Sequence, residues 1–489
     1  MAISDAAAQT PGLRRLVGAD VEVPLVTGGG RRYVNFDYAA SAPALQAVAD
    51  GIAQALPWYS SVHRGAGFKS QVSTELYERA RESVRAFFGA RGDDAVIITR
   101  NTTDAINLLA SALPEGATVL AFAVEHHANL LPWRHGTRHG RVRYLPVPAG
   151  PDELLGTLEA ALREERGGGT APDGTARAGA GPILVAATGA SNVTGEIWPV
   201  SRIAALAHAH GARLMVDGAQ LAPHVPIDMA GDGIDYLAIS GHKLYAPFGA
   251  GALLGRRDWL EETEPFLWGG GAVRFVTLRD VLWAPLPERQ EAGSPNVIGA
   301  IALGIACETL GEIGMDRVAE EELAFHARAR ERLAAIPRLD LYRTWSFDLP
   351  HIGLLTFNLD GYDHSHLAAI LSAEHGIGVR HGCFCAHPLI LHLLHIDEAA
   401  ASAIRDDLRA GGHPAMPGAV RMSFGLGTTE AEIDTAGDAL ARIAAEGPRW
   451  TYRQSRATGE WEPDPDPRPW PELPLGTPSE RRRTAGEAS

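Results

Sequence analysis

Two short apolar runs that each end in polar residues constrain the fold of this chain more than any other feature. The first, residues 214–216, ends at Asp217; the second, residues 236–239, ends at Ser240, with a His-Lys pair at 242–243. Short apolar runs closed by polar residues and glycine are typical of buried strands in a parallel sheet. Ligands bind beyond the carboxyl ends of such strands. The pattern therefore predicts an α/β fold in which an acid, a hydroxyl, an imidazole and an amine meet at one sheet edge.

The same polar residues belong to two motifs, Asp-Gly-Ala-Gln at 217–220 and Ser-Gly-His-Lys at 240–243. They suit pyridoxal phosphate, which needs a lysine for its aldehyde and an acid for its ring nitrogen. Together the motifs resemble the pyridoxal-phosphate enzymes of aminotransferase class V, and within them the SUF-type cysteine desulfurases and selenocysteine lyases. A buried strand with incidental polar ends is the plainer alternative, and the spacing of the two motifs argues against it.

The resemblance implies fold type I of the pyridoxal-phosphate-dependent transferases, which is aspartate aminotransferase-like. We expect a large, doubly wound, mostly parallel sheet domain and a smaller α+β C-terminal domain. The alternation of strand and helix patterns along the chain supports this organisation. The predicted division is an N-terminal arm at 1–30, a large cofactor-binding domain at 31–290, dimer-contacting helices with the small domain at 291–446, and a disordered tail rich in proline and charge at 447–489.

Individual elements follow from the same patterns. Strands are predicted at 33–37, 95–99, 119–124, 183–188, 339–343, 352–359 and 377–380, and helices at 43–56, 71–88, 200–210, 297–313 and 316–335. Residues 165–181 are of low complexity and predict a flexible surface insertion.

Composition excludes several classes of protein. The 489 residues suffice for two or three domains, and the net charge of −15 argues against a nucleic acid partner. Three cysteines make no disulfide framework and suit a reducing cytoplasm. The N-terminus lacks the pattern of a signal peptide. The longest uncharged apolar stretch, residues 292–307, contains glycine and proline and is too short to span a bilayer, so we expect no membrane segment.

The resemblance implies a set of cofactor-binding residues. Thr102 and Thr103 open a predicted helix, whose backbone N–H groups favour a phosphate, although a plain helix cap is the alternative. His126 is expected to lie flat on the cofactor ring and to pass protons. The remaining expected contacts are Asn192, Asp217, Gln220, Ser240, His242 and Lys243, with Gly293 and Ser294 reaching the phosphate of a partner subunit in a homodimer. No metal is expected, because His126 and His127 are adjacent and no third ligand lies nearby in sequence.

The expected substrate contacts are arginines and small residues. Arg421 matches the position that holds the substrate carboxylate in the class, and a planar guanidinium suits that role. Arg380 is a second candidate, and a surface salt bridge is the alternative for each of the two arginines. Ala39 lies in a small-residue turn expected beside the substrate, and Arg64 is either an active-site residue or a solvated surface charge.

A second cluster carries the sulfur chemistry. In residues 378–389 the resemblance places the sulfur-accepting thiol at Cys385, where Cys383 and Phe384 replace the usual residues before it. A similar Gly-Cys-Phe-Cys string occurs in molybdenum-cofactor sulfurases. A redox-regulated pair, a structural zinc site and two buried apolar thiols are the alternatives for these cysteines.

The implied function is a cysteine desulfurase that moves sulfur from L-cysteine to Cys385 as a persulfide and releases L-alanine. Lys243 holds the cofactor and moves the proton. A pyridoxal-phosphate-dependent carbon–sulfur lyase, epimerase or transaminase is the alternative within the class, and a non-enzymatic sulfur relay or metal-binding protein is the alternative outside it. A sulfur-acceptor protein is a possible partner; His366 is either a contact for it or a solvated residue at a helix start.

Overall fold

The computed structural model describes residues 14–136, 140–167, 181–455 and 458–474. Its strands are β1 Glu22–Pro24, β2 Gly30–Arg32, β3 Val34–Phe36, β4 Ala95–Thr99, β5 Thr118–Phe122, β6 Arg141–Leu145, β7 Ile183–Thr188, β8 Arg213–Asp217, β9 Tyr236–Ser240, β10 Gly251–Gly255, β11 Val273–Val276, β12 Val281–Trp283, β13 Leu339–Tyr342, β14 Leu354–Leu359, β15 Ile377–Gly382, β16 Ala419–Ser423, β17 Tyr452–Gln454 and β18 Trp461–Pro463.

The helices of the same residues are α1 Gln46–Ala55, α2 Phe68–Phe87, α3 Thr102–Ser111, α4 Pro132–Gly136, α5 Pro151–Arg166, α6 Val200–Ala209, α7 Asp258–Glu262, α8 Val297–Ile313, α9 Met315–Ala334, α10 His364–His375, α11 His387–Leu393, α12 Glu398–Arg409 and α13 Glu430–Glu446. The predicted elements are present, with ends that differ by a few residues, most at the starts of α1 and α2. Helix α1 begins three residues after Pro43, because its N-cap Leu45 has extended backbone.

A large mixed sheet forms the centre of the molecule. Within the described residues its order is β4-β10-β9-β8-β7-β5-β6, and only β10 runs antiparallel to its neighbours. Strands β4, β5, β7, β9 and β10 are buried along their whole length, which explains their continuous apolar sequences. The predicted doubly wound, mostly parallel sheet of fold type I is confirmed.

A smaller sheet has the order β13-β14-β16-β15-β3 within the described residues. Strand β3 comes from the start of the chain and pairs in parallel with β15. Its residues lie inside the predicted large domain at 31–290, so the chain enters this smaller sheet before it builds the large one. The apolar faces of α9, α10 and α13 pack with this sheet in one buried cluster.

Both ends of the described chain are more structured than predicted. The expected arm at 1–30 contains the strand β1, which pairs with β2, and the buried side chains of Leu16 and Val26; residues 1–13 lie outside the described residues. The tail was expected to be disordered, but its described residues, 449–455 and 458–474, contain paired strands. Strands β17 and β18 pair as a hairpin, and residues 475–489 lie outside the described part.

The tail is ordered because its backbone and aromatic side chains find buried partners. Glu374 on α10 accepts hydrogen bonds from the backbone N–H groups of Arg449 and Trp450, at 2.9 and 3.1 Å, and from the Tyr452 hydroxyl at 3.1 Å. Trp461 stacks on His366, with ring centroids 4.2 Å apart. A composition that predicts disorder is thus outweighed by specific long-range contacts.

The predicted insertion at 165–181 begins inside a helix. Helix α5 continues to Arg166, and residues 168–180 lie outside the described residues. Across the described ranges, no single helix is long and apolar enough to span a bilayer; only α8 and α9 taken together pass on length and composition, and they are bent by 76°.

Candidate active site

One cavity of about 480 Å³ lies at the carboxyl ends of the parallel strands. Strands β7, β8 and β9 contribute their last residues, Thr188, Asp217 and Ser240. Most of the predicted site residues line it: Ala39, Thr102, Thr103, His126, Asn192, Asp217, Gln220, Ser240, His242, Lys243, Arg380, Cys385 and Arg421. They are gathered because a parallel sheet brings the ends of its strands to one edge.

Lys243 lies in the turn that follows β9. Its side chain contacts the cavity but is screened from bulk water, and this desolvation lowers the pKa of Lys243 to about 8, although the charge of Asp217 opposes the shift. A neutral, nucleophilic amine is therefore accessible near pH 8.

Asp217 is a buried carboxylate at the end of β8. Its Oδ1 accepts the backbone N–H of Ala219 at 3.0 Å. Burial raises the pKa of Asp217, and the hydrogen bond from Ala219 and the charge of Lys243 oppose that rise. A cationic N–H partner in the cavity would stabilise its ionised form.

The N-terminus of α3 forms a cradle of hydrogen-bond donors. Asn101 caps this helix by accepting the N–H of Asp104 at 2.9 Å. Ser240 Oγ accepts the N–H of Thr102 at 2.8 Å and lies 2.9 Å from the Thr102 hydroxyl. Free N–H groups and hydroxyls at the positive end of a helix favour an anion such as a phosphate.

His126 is held in one tautomer. Its Nδ1 accepts the backbone N–H of Ala128 at 3.0 Å, so the proton of the neutral ring resides on Nε2. Desolvation, followed by the charges of Lys243 and His127, lowers the pKa of His126 to about 3. Desolvation and Lys243 likewise lower the pKa of His242 to about 4. Both imidazoles at the cavity wall are therefore neutral at pH 7.

A turn at residues 383–386 carries the two cysteines to the cavity wall. The Ala386 N–H donates to the Cys383 carbonyl at 2.9 Å, and Phe384 and Cys385 have φ values of 52° and 55°. Two successive left-handed residues that are not glycine cost free energy and are held by their surroundings. Asn192 Nδ2 donates to the Phe384 carbonyl at 2.8 Å, and the His127 N–H donates to the Cys385 carbonyl at 2.7 Å.

The two candidate substrate arginines are neighbours across β15 and β16, where Arg380 pairs with Arg421. Arg421 is buried, and desolvation lowers its pKa to about 10. Its guanidinium donates to the Asn192 carbonyl at 2.6 Å and lies 3.6 Å from Asp37. Arg380 is exposed to the cavity. The pair can hold one carboxylate while a protein carboxylate compensates the buried charge.

Two residues at this site were missed from the sequence. The carboxylate of Asp37 compensates the buried positive charge of Arg421. The sequence signal for Asp37 was its place as a polar residue at the end of a short predicted strand. The Phe384 ring lies under the Arg421 guanidinium, with 4.9 Å between the cation and the ring centroid. An aromatic residue beside a cysteine was the available signal for this contact.

Three predicted residues lie outside the cavity and close to one another. Arg64 donates to the Gly271 carbonyl at 3.3 Å, and the Gly293 N–H donates to the Gly270 carbonyl at 2.6 Å. Gly293 and Ser294 are exposed. Their loop is anchored from behind by buried Glu291, which pairs with Arg81 at 2.7 Å.

His366 does not line the cavity either. It stacks on Trp461 and lies 5.3 Å from the Tyr452 ring, so it is covered rather than solvated. In the described part of the chain, no group of three or more His, Cys, Asp or Glu residues is arranged to hold a metal ion.

The chain is similar in sequence to known enzymes of one family. Residues 34–435 match the aminotransferase class-V family. A probable cysteine desulfurase of Halalkalibacterium halodurans is 37% identical over 338 residues, which cover 68% of this chain and 78% of that protein. A cysteine desulfurase of Haloferax volcanii is 35% identical over 392 residues, covering 78% and 88% respectively.

Solved structures of cysteine desulfurases also superpose on this chain. The apo structure of a cysteine desulfurase from Thermococcus onnurineus NA1 superposes with a TM-score of 0.72 at 28% identity, covering 88% of this chain and 98% of that one. The cysteine desulfurase CsdA of Escherichia coli superposes with a TM-score of 0.68 at 32% identity, covering 85% and 95%.

Proposed function

Because this chain belongs to the aminotransferase class V family, we propose that its cavity binds pyridoxal phosphate and removes sulfur from L-cysteine. The products are L-alanine and a persulfide on Cys385. The observation that carries this proposal is the turn at 383–386, which brings Cys385 to the wall of the cavity that holds Lys243. A negative charge at Cys385 would raise the pKa values of both nearby cations, Lys243 and Arg421.

The side chains at the cavity fit pyridoxal phosphate. Gln220 Oε1 is buried and has no hydrogen-bond partner among the residues that the structure describes, while its Nε2 donates to the Ala39 carbonyl at 2.7 Å. The amine of Lys243 has a depressed pKa, and the carboxylate of Asp217 needs a cationic neighbour. An orphaned polar group, a reactive amine and a buried acid are together accounted for by an aldehyde-bearing pyridine.

Each part of the cofactor has candidate partners. Lys243 would hold the aldehyde carbon, and Asp217 would keep the ring nitrogen protonated. Neutral His126 would cover the ring. The ring oxygen would be held by Asn192 and Gln220, and the phosphate by Thr102, Thr103, Ser240 and His242 together with Gly293 and Ser294 of a second subunit.

When bound, pyridoxal phosphate supplies a ring that accepts electrons from the bonds at the substrate's Cα. Arg421 and Arg380 hold the substrate carboxylate and so fix which Cα bond faces Lys243. The neutral Lys243 amine takes the Cα proton and returns a proton to the product carbon. The Cys385 thiolate attacks the substrate sulfur, whose bond to Cβ breaks, and the sulfur remains on Cys385 as a persulfide.

A homodimer is part of the proposal. The exposed hairpin β11–β12 carries apolar side chains at Phe275, Leu278 and Leu282 on its outer surface. Exposed apolar patches of this kind are typical of protein interfaces. Arg64, Gly293 and Ser294 do not line the cavity of their own chain. We therefore propose that they contact the cavity of a second copy.

We place the reaction in a reducing compartment, the cytoplasm, because it needs a free thiol and all three cysteines of the chain are unpaired. The exposure of Cys385 suits transfer of the persulfide sulfur to an acceptor.

The decisive experiment incubates the pure holoenzyme with L-cysteine and measures alanine, pyruvate and sulfide. We expect alanine without pyruvate, since pyruvate and ammonia would indicate a β-lyase instead. The variant Cys385→Ala is expected to keep the visible absorbance of bound pyridoxal phosphate but to lose more than 100-fold in sulfur release. Undiminished sulfur release by this variant would reject the assigned nucleophile, and protein purified without that absorbance would reject the cofactor.

A further inference from the structure

The role of Cys383, the second thiol of the cavity, is not accounted for by the proposed reaction. Cys383 is half-buried against the apolar core, and Cys385 is exposed; both line the cavity. The third cysteine, Cys307, is buried in α8. Two thiols therefore share one wall of one cavity, and the third thiol of the chain lies elsewhere.

The backbone between Cys383 and Cys385 keeps the Cα atoms of these two residues close together. Phe384, the single intervening residue, is left-handed, and the carbonyl of Cys383 accepts the N–H of Ala386 at 2.9 Å. In such a turn, Cα atoms two residues apart lie about 5.5 Å from each other, as they do in an α-helix. Disulfides join Cα atoms that are about 4.4–6.8 Å apart. The Cα separation of Cys383 and Cys385 in this turn is therefore within the range that a disulfide spans.

The turn is also held in this geometry by the rest of the fold. Asn192 and His127 donate to the carbonyls of Phe384 and Cys385, at 2.8 and 2.7 Å, and Arg421 lies over the Phe384 ring. These contacts come from three separate parts of the chain. A thiol held this way has an effective concentration far above that of a thiol in solution.

We propose that Cys383 is the resolving thiol of this site, which releases the sulfur of the Cys385 persulfide as hydrogen sulfide and leaves a Cys383–Cys385 disulfide. This inference rests on the proposed desulfurase function. The Cys383 sulfur bonds to the inner sulfur of the persulfide, and the bond to the terminal sulfur breaks. The terminal sulfur leaves with the electron pair and takes the proton of the Cys383 thiol. The sulfane sulfur is reduced and the two cysteines are oxidised, so an external dithiol must reduce the disulfide before the next turnover.

The test is a single turnover without reductant. Holoenzyme receives one equivalent of L-cysteine, and alanine, free sulfide and the state of each cysteine are measured, the last by alkylation and peptide mass spectrometry. The wild type is expected to give one alanine and one sulfide per site and a disulfide between residues 383 and 385. A second equivalent of L-cysteine is expected to be turned over only after a dithiol is added.

The variants Cys383→Ser and Cys383→Ala are expected to give the same single alanine but at least tenfold slower sulfide release, with a persulfide of 385 that adds the mass of one sulfur atom (about 32 Da). Cys307→Ser is the matched control and should behave as the wild type. Bound cofactor absorbance reports that each variant is folded.

A persistent persulfide on Cys385 in the wild type, with Cys383 free to alkylate, would overturn the resolving role, as would wild-type sulfide release by both Cys383 variants. In either case alanine would still form, so the desulfurase proposal would survive. A lack of alanine in every protein would instead reject the desulfurase proposal itself.

Discussion

Desolvation sets the protonation states of the charged side chains around the cavity. It is the largest cause of the lowered pKa values of Lys243, His126, His242 and Arg421, at about 8, 3, 4 and 10. The basic groups thus bear less positive charge than the same residues in water. A nucleophilic amine and two uncharged imidazoles follow mainly from exclusion of solvent, to which nearby positive charges add for the two imidazoles.

The pKa of Lys243 predicts how the apoprotein takes up pyridoxal phosphate. A lowered pKa means that the neutral amine is the main form above about pH 8, whereas an ordinary lysine becomes neutral only near pH 10.4. The rate of covalent capture, measured after borohydride reduction, should therefore rise about tenfold between pH 7 and 8.5 and then level off.

Peptide mapping provides the control for this prediction, because the sequence has only one other lysine, the exposed Lys69. The adduct should be confined to Lys243 across this pH range. A capture rate that is constant from pH 6.5 to 9, or that keeps rising to pH 10.5, would contradict the lowered pKa.

At the scale of elements, the C-terminal hairpin β17–β18 is a strap on the small sheet. Its anchor is Glu374, whose side chain is 1% exposed and which also pairs with Arg442 at 3.3 Å. The strap reaches the cavity rim, where Glu460 lies 3.3 Å from His381 on β15. Strand β15 also carries Arg380, so the strap supports one wall of the candidate active site.

Removing the anchor should release the strap. We expect Glu374→Ala to lower the free energy of unfolding by about 3 kcal/mol, because it leaves Arg442 and two backbone N–H groups without their partner. Urea unfolding measures the loss, and limited proteolysis after residue 448 measures detachment of the strap. Glu446→Ala is the matched control, since Glu446 contacts the same arginine only at 3.9 Å on the surface. Equal stability and equal proteolysis in the two variants would refute the anchor.

At the scale of the whole molecule, the proposed phosphate site draws on two chains. The loop that starts at Glu291 is anchored by the Glu291–Arg81 ion pair, and its exposed Gly293 and Ser294 do not line the cavity. The hairpin β11–β12 projects an exposed cross-strand pair, Phe275 and Leu282, in the same part of the chain. A second copy would bury these apolar groups and receive the loop.

The double variant Phe275→Glu and Leu282→Glu is therefore expected to be a monomer in sedimentation velocity and to bind pyridoxal phosphate at least tenfold more weakly. Charges placed in an apolar interface lose hydration without gaining partners. Leu408→Glu is the control, because Leu408 is also exposed but lies on α12. A monomeric wild type, or a double variant that remains a dimer, would contradict the proposal.

The sequence by itself determined the large sheet and most of the residues that line the cavity. Apolar runs such as 214–216 and 236–239 predict buried parallel strands, and the polar residues after them must share the edge where those strands end. This inference needs only local periodicity and one topological rule. The division of the chain at residue 291 stays a prediction.

Only the tertiary structure decided what is held by contacts between distant segments. It paired β3 with β15, set Asp37 beside Arg421, folded the tail onto Glu374 and gave the 383–386 turn its left-handed backbone. Each of these depends on partners tens to hundreds of residues away in the chain. The physical reason is that desolvation and long-range hydrogen bonding are properties of the assembled core, which local sequence patterns do not encode.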